Sequence, residues 1–231
     1  MYRTVLAVVV TICFASSICA QKKERERTEN AGKVMQEILE IPEGLPRNLL
    51  QEARCVIVIP SQLRVGFFVG GSYGRGVMTC RRGQDFKGPW GLPTMIAAEG
   101  GSFGFQAGGQ ATDFVFLLMN ERAASAILSS KVKLGVDASA AGGPVGRHAE
   151  AAVDASMRAA ILSYSRSRGL FAGATFNGST LRVDNEANQR LYGKNVSPKA
   201  LVFTSDDPTP PSARKLLATL NQETSAKAAT T

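Results

Sequence analysis

Residues 99–120 read EGGSFGFQAGGQATDFVFLLMN. Gly101, Gly104, Gly108 and Gly109 surround Phe103 and Phe105, and the chain then runs through Phe114-Val115-Phe116-Leu117-Leu118-Met119 without a polar break. Glycine gives up entropy inside a strand, so a segment this rich in it serves close approach or bending of backbones. Alternation puts Phe103 and Phe105 on one face and Ser102, Gly104, Gln106 and Gly108 on the other. The apolar run after them reads as core.

Further strand signals gather around this segment. Cys55-Val56-Ile57-Val58-Ile59 is a continuous apolar run that Pro60 is expected to stop, as in a strand buried on both faces. Val65 to Val69 and Gly76 to Cys80 read as a hairpin joined by a glycine-rich turn over residues 70–74. Lys131 to Ala140 alternates, with Val132, Leu134 and Val136 facing inward. Ile161 to Arg168 alternates again, and Asn177-Gly178 is a two-residue turn signal between Leu170–Phe176 and Thr180–Val183. Small residues dominate from Val145 to Arg158, where the period does not separate helix from strand.

Helix signals flank these strands. Thr28 is placed to cap a helix whose stripe is Ala31, Val34, Met35, Ile38 and Leu39. Pro46 opens a shorter helix with Leu49, Leu50 and Ala53 inward. Asn120 precedes another, Asp184 starts one that Gly193 ends, Ser197-Pro198 starts one more turn, and Ser212 is placed to cap the last. The class is α+β: a curved antiparallel β-sheet or partly closed barrel flanked by several short helices. Residues 28–193 form one domain on this reading. Residues 21–27 are a charged linker, and residues 194–231 a proline-containing linker, a short helix and a disordered tail.

The first twenty residues, MYRTVLAVVVTICFASSICA, have the order of a secretory signal, with cleavage near Ala20 and a periplasmic or secreted product. Its removal takes one arginine and no acid from a chain of net charge +8, leaving +7. A basic protein outside the cytoplasm is not expected to meet nucleic acid; anionic lipid headgroups or an acidic partner suit it better. Only Cys55 and Cys80 would remain of four cysteines. They either form one disulfide or stay as two buried thiols.

No catalytic set emerges, and the chain is not expected to be an enzyme. His148 is the single histidine, and no spacing supports it as a base or metal ligand. The glycine clusters lack the order and the Lys-Ser/Thr of a phosphate cradle, so no nucleotide cofactor is expected. Asp113, Asp137 and Asp154 do not approach the tight oxygen spacing of a calcium site and read as ion-pair or surface residues. No metal is assigned. Arginine grips phosphate bidentately, so Arg75, Arg81, Lys131, Arg147, Arg166 and Arg168 are candidate lipid-phosphate contacts if they share one face.

Four stretches together resemble one family: VIVIPSQLRVGFFVGGSYGRGVMTCR (56–81), residues 99–120, LSSKVKLGVDASAAGGPVGR (128–147) and ILSYSRSRGLFAGATFNGSTLRVDNEANQRLYG (161–193). They are similar to the SYLF domain in its secreted bacterial form. The resemblance implies a non-enzymatic lipid-binding module of the cell envelope, engaging anionic phospholipid or a membrane surface. Eukaryotic members bind phosphoinositides and, in some yeast actin-patch proteins, actin filaments. A secreted chain has no access to actin, so actin binding is not expected to carry over. The alternative is a periplasmic interaction protein that binds another envelope protein without lipid.

Overall fold

The structure, a computed structural model, describes residues 2–42, 44–66, 69–83, 86–103, 108–145, 159–167, 170–173 and 178–225. For residues 2–19, 64–66, 69–70, 101–103, 108–110, 170–171, 173 and 225 the backbone alone is described.

Nine strands among the described residues form one mixed sheet in the order β5-β9-β3-β2-β1-β4-β7-β6, with β8 paired to β7. The strands are β1 (Cys55–Gly66), β2 (Val69–Cys80), β3 (Thr94–Phe103), β4 (Gly108–Leu118), β5 (Val132–Lys133), β6 (Ala140–Gly142), β7 (Ile161–Ser167), β8 (Leu170–Gly173) and β9 (Thr180–Val183). Only β6 runs parallel to its neighbour, β7. The sheet is strongly curled into a half-barrel, and the α+β class follows. The helices are α1 (Tyr2–Leu39), α2 (Arg47–Glu52), α3 (Glu121–Ser129), α4 (Asn185–Tyr192), α5 (Pro198–Phe203) and α6 (Arg214–Ser225).

The continuous apolar runs are what a sheet covered on both faces requires. Alternate residues divide into two cores. Val56, Val58, Val77, Val115, Leu117 and Tyr164 pack with Val34, Met35 and Ile38 of α1 and Leu216 and Leu220 of α6. Ile57, Ile59, Met78, Phe114 and Phe116 pack instead with Ala123, Ala124 and Ile127 of α3. Phe103 and Phe105 lie outside the described side chains.

Local chemistry sets several ends. Asn120 caps α3 by accepting from Ala123 N–H at 2.9 Å. Asp184 caps α4 by accepting from Ala187 N–H at 3.0 Å. Gly193 closes α4 at φ +70°, a conformation glycine adopts without strain. Cys55 and Cys80 are directly opposite each other on β1 and β2. The bond from Arg81 N–H to Arg54 C=O makes them a non-hydrogen-bonded pair, the closer kind. Their Cα atoms are 4.0 Å apart and a disulfide joins them.

Five local expectations change. Thr28 does not cap α1; it lies within the helix, buried, and its hydroxyl donates to Glu24 C=O at 2.8 Å. Residues 21–27 are helical too, because Glu24 has partners elsewhere in the fold. Pro60 does not end β1, which continues through an irregularity between Ile59 and Gln62 that needs no Pro60 donor. The first hairpin turns after Gly66, so the glycines at 70, 71 and 74 belong to β2.

Lys131–Ala140 is not one strand. Gly135 at φ +81° and the Asp137 carboxylate, accepting from Lys133 N–H at 2.7 Å, fold it back on itself, and Val136 is 70% exposed. The strands flanking Asn177-Gly178 do not pair with each other. β8 joins β7, while β9 lies between β3 and β5 on the other wing. Finally, Ser212 does not cap the last helix, which is entered from a short 3-10 turn, Pro211–Ala213, with no side-chain cap. His148 and Asp154 lie outside the described residues.

A charged hub and two clefts along the first helix

The charged segment QKKERERTEN (21–30) is organised by one buried carboxylate. Glu24 is 2% exposed. It pairs with Arg27 one turn on, with Arg190 of α4 at 3.2 Å, and with Arg75 of β2 at 3.8 Å. Arg75 also reaches Asp184, the cap of α4, at 3.0 Å. Three guanidinia thus surround two carboxylates, and the pairing offsets the large penalty for burying Glu24 alone. The arrangement holds α1, β2 and α4 together and leaves an excess of positive charge.

On one side of this hub a cleft of about 390 Å³ opens between α1 and the β1–β2 hairpin. Lys23, Arg27 and Arg75 line it, with Glu26 the one acid. Leu63 and Tyr73, opposed across β1 and β2, stand at its edge, 51% and 46% exposed. The Arg75 guanidinium lies 5.7 Å from the Tyr73 ring centroid, within cation–π range. Cations beside exposed apolar side chains form an amphipathic surface.

On the other side a second cleft, about 590 Å³, separates α1 from the end of α4 and the proline-rich approach to α6. Arg25, Glu29, Lys194 and Arg214 contribute charge to it, with Asp207 paired to Lys194 at 2.7 Å. The Asp207 carboxyl is held below its ordinary value by its hydrogen bonds from Lys194 and Ser205.

The six basic candidates do not form one face. Arg75 belongs to the hub. Arg81, at the opposite end of β2 about 20 Å along the strand, donates to the carbonyls of Gln51, Lys87 and Gly88 and clamps the loop before Trp90. Arg166 on β7 donates to Asp113 at 2.7 and 3.1 Å and to Glu37 of α1. Burial opposes its charge, but Asp113 and Glu37 outweigh that and raise its pKa. Lys131 is exposed, 4.0 Å from Glu99. Arg147 and Arg168 lie outside the described residues.

The residues that line the first cleft were not singled out in the sequence, apart from Arg75. Glu24 and Arg27 stand three apart, a helical pairing signal, but nothing local reveals that Arg190 lies 166 residues away. No group of three or more potential metal-ligating side chains occurs among the described residues.

A curled sheet with a cationic, partly apolar groove beside its first helix has the build of a binding module. Residues 99–223 match the Ysc84 family, described as "Las17-binding protein actin regulator", and the chain belongs to that family. The SYLF resemblance points to the same family. The chain is 34% identical over 202 residues to Protein YSC84 of Saccharomyces cerevisiae, covering 84% of this chain and 42% of that protein. It is 33% identical over 195 residues to LAS seventeen-binding protein 3 of the same species, covering 80% and 42%. It is 30% identical over 207 residues to SH3 domain-containing YSC84-like protein 1 of Rattus norvegicus, covering 87% and 59%. The chain thus spans about half the length of the curated relatives it matches. Its family makes it a binding protein.

Proposed function

We propose that this chain is an exported, non-enzymatic protein of the cell envelope that binds anionic phospholipid peripherally, using the cleft between α1 and the β1–β2 hairpin. The observation carrying the reading is the juxtaposition of Lys23, Arg27 and Arg75 with exposed Leu63 and Tyr73. Guanidinium and ammonium groups meet headgroup phosphates while an aromatic and an aliphatic side chain enter the interfacial zone. The +7 charge left by signal removal adds long-range attraction to an anionic surface.

Co-sedimentation with neutral and anionic vesicles across a salt series tests this. Binding should require anionic lipid, weaken with salt as exposed charges are screened, and fall severalfold in K23Q and Y73A. Equal partition to both vesicle types would overturn it. Export is tested by sequencing the N-terminus of the expressed protein, which should begin at Gln21.

A second reading follows from the names of the relatives, which describe binding to Las17 and regulation of actin. In it the same groove takes an acidic segment of an envelope protein. Salt-sensitive capture of one envelope protein by the wild type, abolished in K23Q, with no vesicle binding, would favour it.

A further inference from the structure

The second cleft is bordered by three features that converge without satisfying one another. Arg25 of α1 and Arg214, the first residue of α6, both line it, and neither has a carboxylate partner among the described residues. Ser212 lines it as well; it is 3% exposed and its hydroxyl has no hydrogen-bond partner. The helical run that Ser212 helps to open has no side-chain cap, so its positive dipole end is left uncompensated.

Helix packing explains the convergence. A Cβ placed on Gly32 would lie 2.9 Å from Leu216 N, so α1 and α6 touch backbone to backbone there. Arg25 lies about two turns before that contact on α1, and Arg214 two residues before it on α6. Glu29 is the one lining carboxylate without a partner, since Asp207 is held by Lys194. Two guanidinia therefore face one free acid. An unpartnered buried hydroxyl is destabilising by itself, and guanidinia unmatched by carboxylates suit a bidentate oxyanion.

We infer that this cleft is a phosphate-binding site, in which Arg25 and Arg214 grip the oxyanion and the Ser212 hydroxyl donates to it. The phosphate belongs either to a lipid headgroup or to a small soluble phosphate ester; Leu191, Tyr192 and the flanking prolines supply an apolar wall for the rest of the molecule. In its lipid arm the inference rests on the membrane reading above, and in its soluble arm it stands alone.

The test titrates the full-length exported chain with inorganic phosphate and with glycerol 3-phosphate at constant ionic strength. Amide and arginine side-chain shifts are followed by NMR, and R25Q, R214Q, the double variant and S212A are compared. Saturable shifts at Arg214 and Ser212 are expected, with affinity at least tenfold lower in the double variant. S212A should bind more weakly yet melt no lower than wild type, since its hydroxyl makes no hydrogen bond in the free protein; a structural serine would lower the melting temperature. Vesicles of phosphatidylglycerol against phosphatidylcholine then separate the sources. Loss of vesicle binding in the double variant assigns the phosphate to lipid, and unchanged vesicle binding with lost soluble binding assigns it to a soluble ester. Absence of saturable shifts in the wild type, or equal affinity in the double variant, overturns the site. Failure of the wild type to bind any vesicle while phosphate still binds overturns only the membrane reading.

Discussion

Asp113 and Arg166 are directly opposite each other on β4 and β7, and one carboxylate oxygen accepts two bonds from the guanidinium while the other accepts from Ser61 N–H at 2.8 Å. One carboxylate thereby ties β7 to the irregularity in β1, and through Arg166 to Glu37 it ties the sheet to α1. Asp113→Ala should lower stability by about 2 kcal/mol, the scale of charge-assisted bonds at a half-buried site. In a double-mutant cycle with Arg166→Ala, measured by urea unfolding at neutral pH, the two should couple by about 1 kcal/mol or more. Simple additivity would show the contact to be energetically idle.

Glu24→Gln should destabilise by about 2 kcal/mol. Removing one partner of a fully buried pair costs about 3–5 kcal/mol, and here each arginine retains a quarter of its surface in solvent. Thermal melts of the variant with and without 1 M salt should converge on the wild type as the excess positive charge is screened. A variant as stable as wild type at low salt would remove Glu24 from its central place.

Reduction of the Cys55–Cys80 disulfide should lower stability by about 3 kcal/mol, from the chain-entropy relation for a separation of 25 residues. Melting with and without reductant measures it. No change on complete reduction, checked by thiol titration, contradicts the expectation.

Gly76→Ala should be among the most damaging small changes in the sheet. A Cβ at Gly76 would sit 1.9 Å from Val58 O and 2.7 Å from the Ile59 Cα, both backbone atoms that cannot swing away. A loss of about 3 kcal/mol is expected, read from urea midpoints. Retention of the wild-type midpoint would place β1 and β2 differently.

The Asp207 carboxyl, followed by carbon NMR, should titrate below its ordinary value of 3.8. Its folded-state pKa is depressed, so the stabilisation from Lys194 and Ser205 is present above the unfolded value and disappears as pH falls through the folded one. Lys194→Gln should bring the midpoint back toward 3.8. A wild-type midpoint at or above 3.8 counts against the contact.

How much of this was legible in the sequence depends on how local the cause was. The Cys55–Ile59 and Phe114–Leu118 runs identified strands covered on both faces, and the caps at Asn120 and Asp184 were readable because the donor is three residues away. Lys131–Ala140 misled because alternation survives a tight turn: Gly135 and Asp137 redirect the backbone without disturbing the pattern. Asn177-Gly178 carried a hairpin signal, but β9 found better edges on β3 and β5, which turn chemistry does not encode.

The candidate site was less legible. Arginines at 75, 81 and 166 have the chemistry to hold phosphate, yet the fold uses all three internally, against Glu24 and Asp184, loop carbonyls, and Asp113 and Glu37. The residues left open to solvent in the first cleft belong to a segment whose composition resembled a linker. Its helical state depends on Arg75 and Arg190, far off in the chain, and a local pattern cannot report them.

The position of β1 in the sheet order has a consequence for biosynthesis. It takes β2 on one edge and β4 on the other, but β4 begins only at residue 108, well after β2 ends at residue 80. At roughly 5–20 residues per second of translation, a strand reading Cys-Val-Ile-Val-Ile spends a few seconds with one edge open. Such an edge pairs readily with other chains. A nascent chain of this family held unfolded until β4 has been synthesised would therefore aggregate less than one free to close its first hairpin early.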